Sequence, residues 1–131
     1  MNKTLTLVVY MALVTWLTLL AASLIRAKAW TPAGFKIALG NRHGLPEAAP
    51  LAGRAQRVAV NTLENFILFA VIALVAGVAG NENPRIGAGA ELFFWARIAY
   101  IPVYYAGILY LRTLVWLVSV IGLGFMVSAL L

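Results

Sequence analysis

Residues 54–78, RAQRVAVNTLENFILFAVIALVAGV, contain the pattern that best indicates the fold class. The first half of this stretch carries two arginines, two asparagines, a glutamine and a glutamate, and no charged residue follows from Phe66 to Val78. Arg57, Asn61 and Glu64 are spaced i, i+4, i+7, so a helix places them on one face. A carboxylate in such an apolar helix is costly in hydrocarbon and has to face protein or water. The stretch therefore predicts a membrane-spanning helix with a polar face at its start, and Glu64 as the first candidate functional residue.

The whole chain has the composition of an integral membrane protein. Of its 131 residues, 63% are hydrophobic and 11% are charged, and a soluble domain of this size cannot bury that much apolar surface. The net charge of +6 is concentrated in one loop, so it indicates membrane topology and not a nucleic-acid partner. The absence of cysteine excludes disulfides and thiolate ligands. His43 with Glu47 is too small a ligand set for a metal, so we expect none.

Four apolar stretches predict an all-α bundle of four transmembrane helices in a single domain, residues 1–131. The spans cover about residues 5–25, 54–79, 88–111 and 114–131, lengths that can cross a bilayer. The first is interpreted as a retained helix and not a cleaved signal, because its apolar run is long and Arg26 follows it. The connection after it is rich in Gly and Pro, and no periodicity requires a helix there. Pro102 is expected to kink the third helix.

The distribution of charge orients this predicted bundle. Segment 26–57 holds six basic residues and one glutamate, a net charge of +5, whereas segment 80–91 holds two glutamates and one arginine, a net charge of −1. Because basic loops face the cytoplasm, loop 26–57 is predicted to be cytoplasmic, with both termini on the outer or lumenal side. The expected location is a bacterial inner membrane or its equivalent.

The predicted third helix carries a second polar face. Arg97, Tyr100 and Tyr104 are spaced i, i+3, i+7 and share one side of the helix. At helical rise, Glu64 and Tyr104 lie at matching depths of roughly 10 and 12 Å from the cytoplasmic end. Arg97 lies about two turns deeper, and its long side chain can reach back toward Glu64. We predict a structural ion pair between Glu64 and Arg97, because paired charges are tolerated in lipid where single ones are not.

The combination of charges indicates a class of ligand. Arginines at a cytoplasmic mouth suit a ligand with carboxylates, which guanidinium binds through two hydrogen bonds. The Glu64 carboxylate suits an ammonium on the same ligand. The implied ligand is a soluble zwitterion with net negative charge, a description that glutathione fits.

These motifs resemble those of a known family. The second span opens with Arg54-x-x-Arg57-x-x-x-Asn61-x-x-Glu64-Asn65, and the third contains Ala96-Arg97-x-x-Tyr100-x-x-x-Tyr104 followed by an arginine. They resemble the membrane-associated proteins in eicosanoid and glutathione metabolism (MAPEG), the family of the microsomal glutathione transferases and leukotriene C4 synthase. The resemblance implies a homotrimer of four-helix subunits, with glutathione as co-substrate. Membrane lipid and a hydrophobic small-molecule substrate are the other implied partners.

The resemblance also implies the residues of the site. Glutathione is expected to contact Arg26, Arg57, Asn61, Glu64, Tyr100 and Tyr104. Arg112 resembles the family arginine that stabilises the glutathione thiolate, so it is the expected catalytic residue; a nearby cation favours the anionic form of a thiol. The chain departs from the family at Ala59, where characterised transferases often carry His or Gln, and at Leu68, where proline is common.

Three functions follow as alternatives. The first is a membrane-bound glutathione transferase or peroxidase acting in detoxification on hydrophobic electrophiles. The second is a non-catalytic member of the same family that binds or presents lipid-like molecules. The third is a small proton-coupled exporter. It is disfavoured because such exporters usually carry their acidic residue in the first helix, which is uncharged here, and because Arg57 and Arg97 repel cationic drugs.

Overall fold

The computed structural model describes residues 2–40 and 49–131, and these form five helices without a strand. The helices are α1 Lys3–Ala27, α2 Pro32–Leu39, α3 Pro50–Val78, α4 Pro84–Tyr105 and α5 Leu109–Leu130. All except α2 are long and apolar enough to cross a membrane. The prediction of an all-α bundle with four spanning helices is therefore confirmed. His43 and Glu47 lie outside the described residues.

Side-chain capping explains where α1, α2 and α4 begin. The Asn2 side chain accepts a hydrogen bond from the Leu5 amide (2.9 Å), and the Asn83 side chain accepts one from the Arg85 amide (3.0 Å). The short helix α2 lies in the Gly- and Pro-rich connection, where periodicity did not require one. Its start is fixed by Thr31, whose hydroxyl accepts from the Gly34 amide, and by Pro32 in the first turn.

The structure divides the second half of the chain differently from the predicted spans 88–111 and 114–131. Helix α4 ends at Tyr105, and α5 already begins at Leu109. The reason is Gly107, which adopts a positive φ of 74° and whose amide bonds to the Tyr104 carbonyl (2.9 Å), closing the end of α4. Arg112 consequently lies in the first turn of α5 and not in the connection. Pro102 lies inside α4 without ending it.

Helices α4 and α5 pack with their backbones in contact. A Cβ atom added to Gly89 would lie 2.4 Å from the Gly122 carbonyl oxygen, and one added to Gly122 would lie 2.7 Å from that of Gly89. Such close approach through small residues is typical of membrane helices. Beside this crossing, Phe93 of α4 stacks on Phe69 of α3, with ring centroids 4.4 Å apart. These contacts fix the rotation of α4 against both neighbours and so decide which of its side chains reach the polar face of α3.

Candidate functional site

Two adjoining cavities lie at the end of the bundle where α3 begins, α4 ends and α5 begins. Their volumes are about 370 Å³ and 170 Å³, and both are lined by Asn61, Tyr100 and Tyr104. The larger cavity adds Arg57 and Glu64 to this lining. The smaller adds Arg112, together with Thr113 and Trp116. Six of the seven side chains expected in the site therefore line one continuous region.

Tyr104 is the centre of this region. Its hydroxyl accepts a hydrogen bond of 2.8 Å from Nε of Arg57, and its ring centroid lies 4.7 Å from the guanidinium carbon of Arg112. The second distance is within the range of a cation–π interaction. Tyr104 itself is buried. Because the hydroxyl accepts from Arg57, its own proton is free to be donated to a ligand in either cavity.

Behind Tyr104, a buried arginine supports the second tyrosine. The Tyr100 and Tyr104 rings are 5.5 Å apart, and the guanidinium carbon of Arg97 lies 4.1 Å from the Tyr100 centroid. Arg97 is 0% exposed, and its Nη2 donates to the Thr62 hydroxyl over 2.9 Å. Its Nε and Nη1 have no hydrogen-bond partner within residues 2–40 and 49–131. Within the described residues, the buried charge of Arg97 is thus stabilised by the Thr62 hydroxyl and the face of the Tyr100 ring.

The ion pair predicted between Glu64 and Arg97 is not formed in the single chain. Among the described residues, a salt bridge forms between Lys3 and Glu91, which lie at the other end of the bundle. Glu64 lies on the exposed side of α3, whereas Thr62, the partner of Arg97, is fully buried. Two residues of helix correspond to about 200° of rotation, so Glu64 points away from Arg97. The carboxylate remains available to a ligand in the larger cavity.

Loss of the Thr62 hydroxyl is expected to destabilise the protein more than loss of the Arg97 guanidinium to which it is bonded. Thr62→Val removes the hydroxyl that accepts from Arg97 and is expected to destabilise the fold by about 1–3 kcal/mol, the usual cost of an orphaned buried polar group. Arg97→Met is expected to cost less, because removing a buried charge also removes its desolvation penalty. Thermal denaturation in detergent measures both, with Thr62→Ser as the control that keeps the hydroxyl. Equal stability of Thr62→Val and wild type would contradict the prediction.

Arg26 is the expected site residue that lines neither cavity. It lies in the last turn of α1, at the same end of the bundle, and its Nη1 is buried without a partner among the residues described. Conversely, Thr113 and Trp116 line the smaller cavity although the sequence reading did not assign them to the site. The spacing in the sequence could have indicated Trp116, because it is four residues after Arg112 and so lies one helical turn further along the same face.

The chemistry of the region is that of a cationic pocket with one carboxylate. Arg57 and Arg112 can each bind an anionic group, and Glu64 can accept hydrogen bonds from an ammonium. Asn61 adds a neutral donor and acceptor. No cluster of three His, Cys, Asp or Glu side chains able to hold a metal occurs among the described residues.

Four long apolar helices and a polar pocket at one end of the bundle define the class as a polytopic membrane protein. The model of the MAPEG family matches residues 4–131, essentially the whole chain, and the protein belongs to that family. It is therefore an integral membrane protein of the family associated with glutathione and eicosanoid metabolism. No curated protein and no solved structure matches the chain.

Proposed function

We propose that the protein is a membrane-bound glutathione transferase or peroxidase that activates glutathione for attack on hydrophobic electrophiles. The observation that carries the proposal is the convergence of two guanidinium groups, one carboxylate, the Asn61 amide and two tyrosines on the two adjoining cavities. The family model supports it, because it covers both helices that supply the motif.

The lining suggests how glutathione is held. In the larger cavity, Arg57 binds a carboxylate of the tripeptide and Glu64 binds its ammonium. Asn61 and the Tyr104 hydroxyl then bond to the peptide groups between them. This arrangement directs the thiol into the smaller cavity, beside Arg112, where the exposed face of Trp116 offers an apolar surface to an electrophile.

The reaction requires little from the protein beyond positioning and charge stabilisation. The thiol loses its proton to solvent, and the guanidinium of Arg112 stabilises the resulting thiolate. In conjugation, the sulfur lone pair forms a bond to the electrophilic carbon while the bond from that carbon to the leaving group breaks, and the leaving group departs with the electron pair. In peroxide reduction, the sulfur attacks one peroxide oxygen, the O–O bond breaks, and the released alkoxide takes a proton from solvent; a second glutathione thiol then displaces water from the resulting sulfenic acid and gives glutathione disulfide. No covalent intermediate with the enzyme is needed, so positioning of the two reactants accounts for much of the rate.

The homotrimer and the cytoplasmic position of the site are part of this proposal. The exposed side of α3 continues from Arg57 and Glu64 into Ile67, Leu68 and Val71, each more than half exposed in the single chain. A neighbouring subunit can cover this apolar stripe. The same packing can place Arg26 of one subunit near the cavities of the next, which accounts for its absence from the lining within one chain.

Glutathione binding is the first test. Arg57→Ala and Glu64→Gln each remove one charge-assisted hydrogen bond, so we expect each to weaken binding about 10-fold to 100-fold. Isothermal titration calorimetry in detergent measures this. Lys36→Ala and Glu82→Gln are the matched controls, because both charges are exposed and line neither cavity. Absence of glutathione binding by the wild-type protein would remove the proposal.

Non-catalytic lipid binding is the second candidate, and one observation favours it. An apolar cavity of about 410 Å³ lies between α1 and α4, lined by residues such as Leu17, Ile25 and Ile101. A lipid that copurifies there, together with retained fold and no thiol chemistry, would favour this function over the transferase.

A further inference from the structure

The surface around the short helix α2 is apolar on one side and basic beside it. Trp30, just before the helix, is 68% exposed, and Phe35 and Leu39 are 56% and 73% exposed. Phe35 and Leu39 are four residues apart and so share one side of α2. Lys28 and Lys36 are also exposed. None of these residues lines a cavity of the candidate site, so the surface has no part in the proposed glutathione chemistry.

A close backbone contact fixes the position and rotation of α2. Gly34 is buried, and a Cβ atom added to it would overlap the carbonyl oxygens of Ala27 and Lys28 at the end of α1. This contact turns the Gly34 side of α2 toward α1 and leaves the apolar side without cover from the described residues. Residues 28–31 alone separate α2 from α1, which is long and apolar enough to cross a membrane. Helix α2 therefore lies at the level where α1 leaves the bilayer.

The charges on this surface are of one sign. Residues 2–40 include lysines and an arginine but no aspartate or glutamate. The ammonium groups of Lys28 and Lys36 form no salt bridge with a described residue. A lysine beside a membrane rich in anionic lipid strengthens the attraction to that membrane about fivefold. The surface is therefore complementary in charge to anionic headgroups.

The size of the surface favours a bilayer over a protein as its partner. Stable protein–protein interfaces take about 20–30 residues from each side, whereas α2 has 8 residues in all. A bilayer needs no such area, because the spanning helices already hold the protein in it. A helix with Trp, Phe or Leu on one side and Lys beside them is typical of segments that lie in the membrane interface, and an indole ring prefers the same depth.

We propose that Trp30 and α2 form an interfacial anchor that binds the surface of an anionic phospholipid bilayer. The side chains of Trp30, Phe35 and Leu39 lie at the boundary between headgroups and acyl chains. The ammonium groups of Lys28 and Lys36 bind lipid phosphates and acidic headgroups. The proposal does not depend on the glutathione chemistry, because no residue of the anchor lines either cavity of the candidate site.

The depth of α2 is measured by site-directed spin labelling. The chain contains no cysteine, so one introduced cysteine carries the only label. Phe35→Cys tests the apolar side. Ala33→Cys is the matched control, because Ala33 is also exposed but lies about 200° around the helix axis from Phe35. In nanodiscs containing phosphatidylglycerol, the label at position 35 is expected to collide more with oxygen, which partitions into lipid, and the label at position 33 more with a water-soluble nickel chelate.

Two results of the labelling would overturn the proposal. Equal access of the nickel chelate to both labels would place the apolar side of α2 in water. Shielding of the label at position 35 from both reagents would place it against protein, either another part of the chain or a second copy.

Lipid selectivity is measured by native mass spectrometry of protein released from nanodiscs of equal parts phosphatidylglycerol and phosphatidylcholine. Wild type is expected to retain more phosphatidylglycerol. Lys28→Gln and Lys36→Gln are each expected to lower the retained ratio of phosphatidylglycerol to phosphatidylcholine about fivefold. Lys36→Arg keeps the charge and is expected to keep the ratio. Arg85→Gln removes an exposed cation that donates to Ser128 at the other end of the bundle, and it is expected to have little effect. No preference in wild type, or an unchanged ratio in both glutamine variants, would also overturn the proposal.

Discussion

Gly122→Val is expected to prevent recovery of folded protein after extraction in detergent. A Cβ at this position meets the Gly89 carbonyl oxygen at 2.7 Å and the Phe93 amide nitrogen at 2.8 Å, and both are backbone atoms of α4. A side chain could rotate away, but a helix backbone moves only if the whole α4–α5 contact separates. Overpacking of a core usually costs about 1–3 kcal/mol, and we expect this backbone clash to exceed that range. Thermal denaturation followed by circular dichroism, with size-exclusion chromatography, measures the loss.

Gly124→Val is the matched control. It lies on the same helix, two residues away, but a Cβ there meets no other atom within 4 Å. The same substitution is therefore expected to leave the melting temperature nearly unchanged. If Gly122→Val melted within a few degrees of Gly124→Val, the close crossing of α4 and α5 would be wrong.

Gly122 and Gly124 illustrate which features of the fold could not be predicted from the sequence. Hydropathy was sufficient to predict four spanning helices, because each apolar run is as long as a bilayer is thick. It could not distinguish Gly122 from Gly124, since that difference depends on which face of α5 meets α4. The predicted spans 88–111 and 114–131 likewise placed the end of the third helix just before Arg112, whereas the backbone turns at Gly107.

Part of the site could also be predicted from the sequence. Helical spacing alone placed Arg57, Asn61 and Glu64 on one face, and the larger cavity is lined by all three. The partner of Arg97 could not be predicted in this way. Its choice between Glu64 and Thr62 depends on the rotation of α3 about its own axis, which the packing of Phe69 against Phe93 fixes.

Arg112→Ala is expected to lower the rate of glutathione conjugation about 100-fold to 1000-fold, the usual effect of removing one donor from a developing or stabilised anion. Glutathione affinity is expected to change much less, because Arg57 and Glu64 line the larger cavity and Arg112 does not. Steady-state kinetics with a generic electrophile measures the rate. The ultraviolet absorbance of the enzyme-bound thiolate, measured by mixing with glutathione alone, reports the anion directly and is expected to disappear.

Two further variants separate charge from shape at this position. Arg112→Lys keeps the cation but loses the planar guanidinium that stacks on Tyr104, so partial retention of the thiolate signal is expected. Arg85→Ala, a surface arginine at the opposite end of the bundle, is expected to behave as wild type. If Arg112→Ala bound glutathione and still gave the full thiolate absorbance, another group would be stabilising the sulfur. The hydroxyl of Tyr104, which already accepts a hydrogen bond from Arg57 and has its own proton to donate, would then be the group to test.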